Sequence, residues 1–146
     1  MRLSRDFSEF IESLNDKAVR YLVVGGYAVA FHGHPRYTKG LDIWIGPGKD
    51  NTTRLIAALA SFGFGGLGIT AEDFQEPDQI IQLGIAPHRI DLLTSVPGVE
   101  FETCYQSRNE AILGGISVSW IGLDDLRAAK IASGRYQDLA DVENLT

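Results

Sequence analysis

Two aspartates in this chain sit where a carboxylate is hard to accommodate without a partner. Asp42 is flanked by Leu41 and Ile43, and Asp91 by Ile90 and Leu92. In an extended chain neighbours point to opposite faces, so each carboxylate must face away from its apolar flanks. Burying it there unpaired is costly. Two strands that each offer one carboxylate can set them side by side, and such a pair suits a hard divalent ion. Magnesium takes carboxylates together with substrate phosphate oxygens and keeps some of its waters. Ions held in this way orient the groups of phosphoryl and nucleotidyl transfer. A carboxylate on a solvated sheet face is the competing reading of either residue taken alone.

The third feature is Gly25-Gly26, at the end of an apolar run and directly before a helical stretch. Two glycines let backbone amides come close to a ligand, and a helix N-terminus favours anions. The same pair also answers the packing needs of a strand-to-helix turn.

The elements that must position these residues follow from periodicity. Phe7, Phe10, Ile11 and Leu14 give one helical face over residues 6–15. Residues 21–24 are a continuous apolar run and predict a buried strand. Residues 27–32 read as a helix closed by Gly33 and Pro35. Residues 41–45 alternate and predict a half-buried strand carrying Asp42 and Trp44 on one side. Asn51, Thr52 or Thr53 is a candidate cap for a helix reaching about residue 62. Further strands are expected over 80–85, 89–93 and 116–121, with a turn at Pro87-His88. A short helix is expected over 102–107, and longer ones over 123–131 and 136–145, with Gly134 as the stop between them. This order predicts an α/β (α+β) layer structure, a mixed sheet with helices mainly on one face, in one domain spanning residues 1–146.

Composition narrows the function classes. The 146 residues are 45% hydrophobic and 22% charged, an ordinary globular balance. The net charge of −6 does not favour a polyanion overall. A local basic patch from Arg36, Lys39, Arg89, Lys130 and Arg135 remains compatible with it. The lone Cys104 excludes an internal disulfide, and no apolar run approaches a membrane span. A cytoplasmic protein with no membrane partner is therefore expected. His32, His34 and His88 show no metal spacing, and Tyr27 and Trp44 fit core or cleft wall better than a base-stacking platform.

The segment from Val23 through Gly25-Gly26, His32-Gly33, Pro35-Arg36 and Thr38 to Leu41-Asp42-Ile43 resembles the nucleotidyltransferase superfamily. It looks most like the small bacterial group related to AbiEii and MenT-type toxins. The superfamily pattern is a glycine pair, a spacer, here Tyr27 to Lys39, then acid-apolar-acid within a strand. A later strand acid matches Asp91. The tail with Asp125-Leu126, Lys130, Gly134-Arg135, Asp138 and Asp141 is similar to the group's C-terminal helices.

That resemblance implies a minimal nucleotidyltransferase fold and transfer of a nucleoside monophosphate from a nucleoside triphosphate. Magnesium or manganese would be held by Asp42 and Asp91, which are also the expected catalytic residues. Nucleotide contacts would come from Gly25, Gly26, Arg36, Thr38, Lys130 and Arg135. The implied acceptors are tRNA or another RNA, a protein, or a small molecule, and a cognate antitoxin is an implied partner. For Lys130 and Arg135, cations offsetting a helix dipole are the alternative role, with Asp138 and Asp141 as candidate tethers. For Arg36 and Thr38 it is ordinary loop polarity.

One position departs from the pattern. Where the first strand acid is expected, the chain has Gly40. The enzyme is then degenerate, or altered by substitution, or compensated by water or another side chain. The alternative function is a nucleotide- or partner-binding domain without turnover, including a toxin–antitoxin component.

Overall fold

A computed structural model describes residues 1–35, 37–85 and 88–145. In chain order the elements are α1 (Arg5–Asp16), β1 (Tyr21–Val24), α2 (Gly25–Phe31), β2 (Gly40–Ile45), α3 (Lys49–Phe62), β3 (Ile80–Leu83), β4 (Arg89–Leu93), α4 (Phe101–Gln106), β5 (Asn109–Leu113), β6 (Ile116–Trp120), α5 (Leu123–Ser133) and α6 (Tyr136–Asn144). Two 3-10 turns, Gly65–Leu67 and Ala71–Phe74, join α3 to β3. The strands form one mixed sheet in the order β3-β4-β2-β1-β6-β5. β2–β4 and β1–β6 are parallel, and the other pairs are antiparallel. The expected α/β layer structure is what the chain adopts.

The register sorts side chains by face. On one face Tyr21, Val23, Leu41, Ile43, Ile90, Leu92 and Trp120 line up across β1, β2, β4 and β6. All are buried and form the heart of the core. Helix α1 begins at Ser4, whose hydroxyl accepts from the Phe7 amide at 3.2 Å. It buries Phe7, Phe10, Ile11 and Leu14, the residues its periodicity marks. Phe10 meets Phe62 of α3 edge-on at 5.2 Å, and Phe31 of α2 stacks on Trp120 at 4.3 Å. Fully burying one such side chain contributes about 1.5–3 kcal/mol. The opposite face carries Asp42, Arg89, Asp91 and Gln82, and it is the face that keeps polar side chains.

Four local expectations are corrected. Helix α2 starts at Gly25, so the glycine pair lies in its first turn and not before it. β2 is buried on both faces, with Asp42 its one partly exposed residue; central strands between β1 and β4 have no solvated side. Helix α3 starts at Lys49, ahead of the candidate caps. Asn51 is buried inside it instead, where its side chain accepts from the Arg20 amide at 2.7 Å and donates to the Gly46 carbonyl at 2.8 Å. Strand β5 was not expected at all, because Asn109-Glu110 is polar and the strand lies exposed at the sheet edge. The expected turn at Pro87 lies outside the described residues.

Candidate active site

Asp42 and Asp91 are direct register partners on the parallel pair β2–β4. They share a face and form part of the wall of a cleft of about 640 Å3, a size typical of small-ligand sites. Across the cleft stand Leu126, Ala129 and Lys130 of α5, with Arg135 at the start of α6. Asp91 is buried at 7% exposure. Its Oδ2 forms an ion pair with Arg89 Nη2 at 3.1 Å, and its Oδ1 is buried with no donor. Burial pushes the Asp42 carboxyl up to about 6, helped by the charge of Asp91 and a proton the two groups can share; Arg89 and Lys130 oppose the shift. Two like charges in register disfavour double ionisation unless a cation joins them.

Gly25 explains itself on this geometry. It has φ of +68°, and a Cβ there would fall 2.0 Å from Asp42 Oδ2. Only glycine satisfies both the left-handed backbone and the carboxylate beside it. Gly25 lines the cleft, whereas Gly26 is buried and does not. Thr38 is also off the cleft wall; its hydroxyl donates to the Gly40 carbonyl at 3.0 Å and so ties the loop to β2. Arg36 lies outside the described residues.

Lys130 is on the wall but committed. It is 6% exposed, 2.9 Å from Asp138 and 3.0 Å from Asp141. Arg135 donates to Asp138 at 2.7 Å while most of its side chain stays in solvent. Burial raises the Asp138 carboxyl, but hydrogen bonds from Ser133, Lys130 and Arg135 outweigh it and hold it at about 2. The thiol of Cys104 is buried and pushed up to about 12, chiefly by burial, which removes it as a nucleophile at neutral pH.

Position 40 is not an empty socket. Gly40 pairs with Arg89, and a Cβ at 40 would fall 2.1 Å from the Arg89 carbonyl oxygen. Any side chain there requires β4 to move. Among the described residues no group of three or more His, Cys, Asp or Glu side chains converges to hold a metal. Two adjacent carboxylates, one with an oxygen lacking a donor, fit one hard divalent ion completed by ligand oxygens and water. They do not fit a pair of ions bridged by three acids.

Several solved structures share this architecture over nearly the whole chain. A Thermotoga maritima protein proposed as a nucleotidyltransferase matches with a TM-score of 0.63 at 12% identity, over 98% of this chain and 94% of its own. The fold is that of the nucleotidyltransferases. The lincosamide antibiotic adenylyltransferase LnuA, solved with lincomycin bound, matches with a TM-score of 0.57 at 13% identity, over 99% and 96% of the two chains. An antigenic nucleotidyltransferase-like protein from Paracoccidioides brasiliensis gives 0.57 at 18%, over 99% and 78%. No protein-family model matches the chain, and no curated protein matches its sequence. No helix among the described residues is long and apolar enough to cross a membrane.

The sequence did not single out Arg89 beyond its charge. Its place two residues before Asp91 in a strand puts both on one face by the period of two, and that signal could have found it.

Proposed function

We propose that this chain is a nucleotidyltransferase whose cleft receives a nucleoside triphosphate over Asp42 and Asp91. The observation that carries this is the carboxylate pair in register on β2 and β4, on a cleft wall in the nucleotidyltransferase fold. An acceptor hydroxyl attacks the α-phosphorus, a new P–O bond forms, the bond to the β-phosphate oxygen breaks, and pyrophosphate leaves. The hydroxyl proton goes to the carboxylate of Asp91 on the cleft wall. Asp42 stands beside it in register on β2, and Gly25 leaves the room its carboxylate needs. When bound, a magnesium or manganese ion held by Asp42 and Asp91 would supply charge neutralisation at the phosphates. Arg135, with its mostly exposed side chain, is the outer cation available to a phosphate tail. Positioning and charge stabilisation carry most of such a reaction.

The acceptor is an RNA such as tRNA, a protein side chain or a small hydroxyl compound, in the reducing cytoplasm that a single cysteine suits. Incubation of the full chain with α-labelled nucleoside triphosphates, magnesium or manganese and these acceptor classes tests the reading. Label should move to one class, and Asp42→Ala should lower transfer at least ~100-fold, as for loss of a group that acts on the transition state. Absence of transfer from any of the four triphosphates to all three classes would sink it. A second reading, nucleotide binding without turnover, is favoured by Gly40, which brings no ligand where the resemblance expects one. Nucleotide binding without transfer would select it.

A further inference from the structure

Among the described residues three cations line the cleft, and they differ in what they already hold. Lys130 is closed off between Asp138 and Asp141. Arg135 reaches Asp138 from the rim. Arg89 alone among them touches the carboxylate pair, through Nη2 to Asp91 Oδ2 at 3.1 Å. Its contact is half made. Arg89 Nε and Asp91 Oδ1 are both buried without partners, although an arginine and a carboxylate can meet in two parallel hydrogen bonds. A purely structural pair would satisfy those atoms, because unpaired buried polar groups are costly. The Arg89 side chain is 29% exposed and lines the cleft. Gly40 is what admits it: with no side chain at 40, the Arg89 backbone closes on β2 to a distance that any Cβ would violate.

We propose that Arg89 is the resident cation of this cleft. Its guanidinium neutralises Asp91 in place of a second divalent ion, so that a triphosphate meets at most one ion and an arginine. The planar fork of an arginine suits phosphate oxygens as well as carboxylates, and its charge is permanent. The phosphate half of this inference rests on the function proposed above; the cation half does not.

Titration of the full-length protein with manganese, followed by electron paramagnetic resonance, reads the cation half directly. The wild type should bind no more than one ion. Arg89→Met should tighten manganese binding about tenfold or admit a second ion, since a positive charge beside the carboxylates is gone. Arg89→Lys should behave like the wild type. Arg89→Gln serves the same purpose as Arg89→Met if the latter does not fold. Unchanged manganese affinity in the charge-removing variant, or two ions in the wild type, overturns the inference. A fluorescent ATP analogue in excess chelator reads the phosphate half. The wild type should retain binding within about fivefold of its value with magnesium, and Arg89→Met should lose at least tenfold in chelator. Tightened manganese binding with no nucleotide binding would leave the resident cation standing and remove the triphosphate reading. Nucleotide binding with manganese indifferent to Arg89 would do the reverse.

Discussion

Two groups of aspartates face each other across the cleft, and they are built on opposite terms. Asp138 and Asp141 are buried with every charge answered: Lys130 bridges both, and Ser133 and Arg135 complete Asp138. Asp42 and Asp91 lie together with Arg89 paired to Asp91, which still keeps an oxygen without a donor. The Asp138 carboxyl is held low and the Asp42 carboxyl is pushed up. A satisfied ionic cluster fixes the α5–α6 corner. An unsatisfied one keeps unspent affinity for a cation, as functional sites often do. On the function proposed above, the sheet carries the chemistry and the helices the architecture.

The contrast can be broken most violently at Lys130. Lys130→Met removes the cation shared by two buried aspartates and should lower stability by about 3–5 kcal/mol, seen as an earlier urea midpoint. A loss near zero would mean that the corner is no structural staple. Next in size, Gly40→Ala drives a Cβ into the Arg89 carbonyl and should cost about 1–3 kcal/mol by the same measurement. Gly40→Asp should suffer at least as much and should not raise transfer above the wild-type level. Asp42→Asn goes the other way. It removes one of two like charges from a buried pair, so the folded state should gain roughly 1–2 kcal/mol at pH 7.

The smallest effect is the most diagnostic, because pH moves the two groups in opposite senses. Asp42 titrates near 6 in the folded chain against an ordinary value of 3.8, so the native state binds the extra proton between those values. Its contribution makes the protein more stable as pH falls from about 6 to about 4. Asp138 titrates near 2 when folded, so there the unfolded chain binds the extra proton. Its contribution is lost as pH falls from about 4 towards 2. Thermal melts across this range should show Asp42→Asn flattening the upper limb and Asp138→Asn the lower one.

Much of this arrangement was readable beforehand. The flanks of Asp42 and Asp91 fixed which way their carboxylates face, because a strand's period of two leaves no choice. Periodicity likewise marked the buried face of α1 and the strands β1, β2, β4 and β6. What escaped was long-range or edge-dependent. Strand β5 exists only because β6 offers it hydrogen bonds, and nothing apolar in Asn109-Glu110 announces it. Asn51 looked like a cap because local propensity favours that role; its buried bonds to Arg20 and Gly46 override it. The hold of Asp138 on Lys130 was open as one of two roles, and burial, which sequence does not give, distinguishes them. The register of Gly40 against Arg89 belongs to the same class: neither residue is informative until the strands are aligned.

That alignment gives the site a direction in evolutionary time. A change from an acid to glycine at position 40 removes atoms and meets no obstacle. Once the Arg89 carbonyl has closed to within 2.1 Å of where a Cβ would stand, the reverse change must displace a neighbouring strand. Position 40 then acts as a ratchet, and a third acidic ligand would arise more readily at another position than at this one.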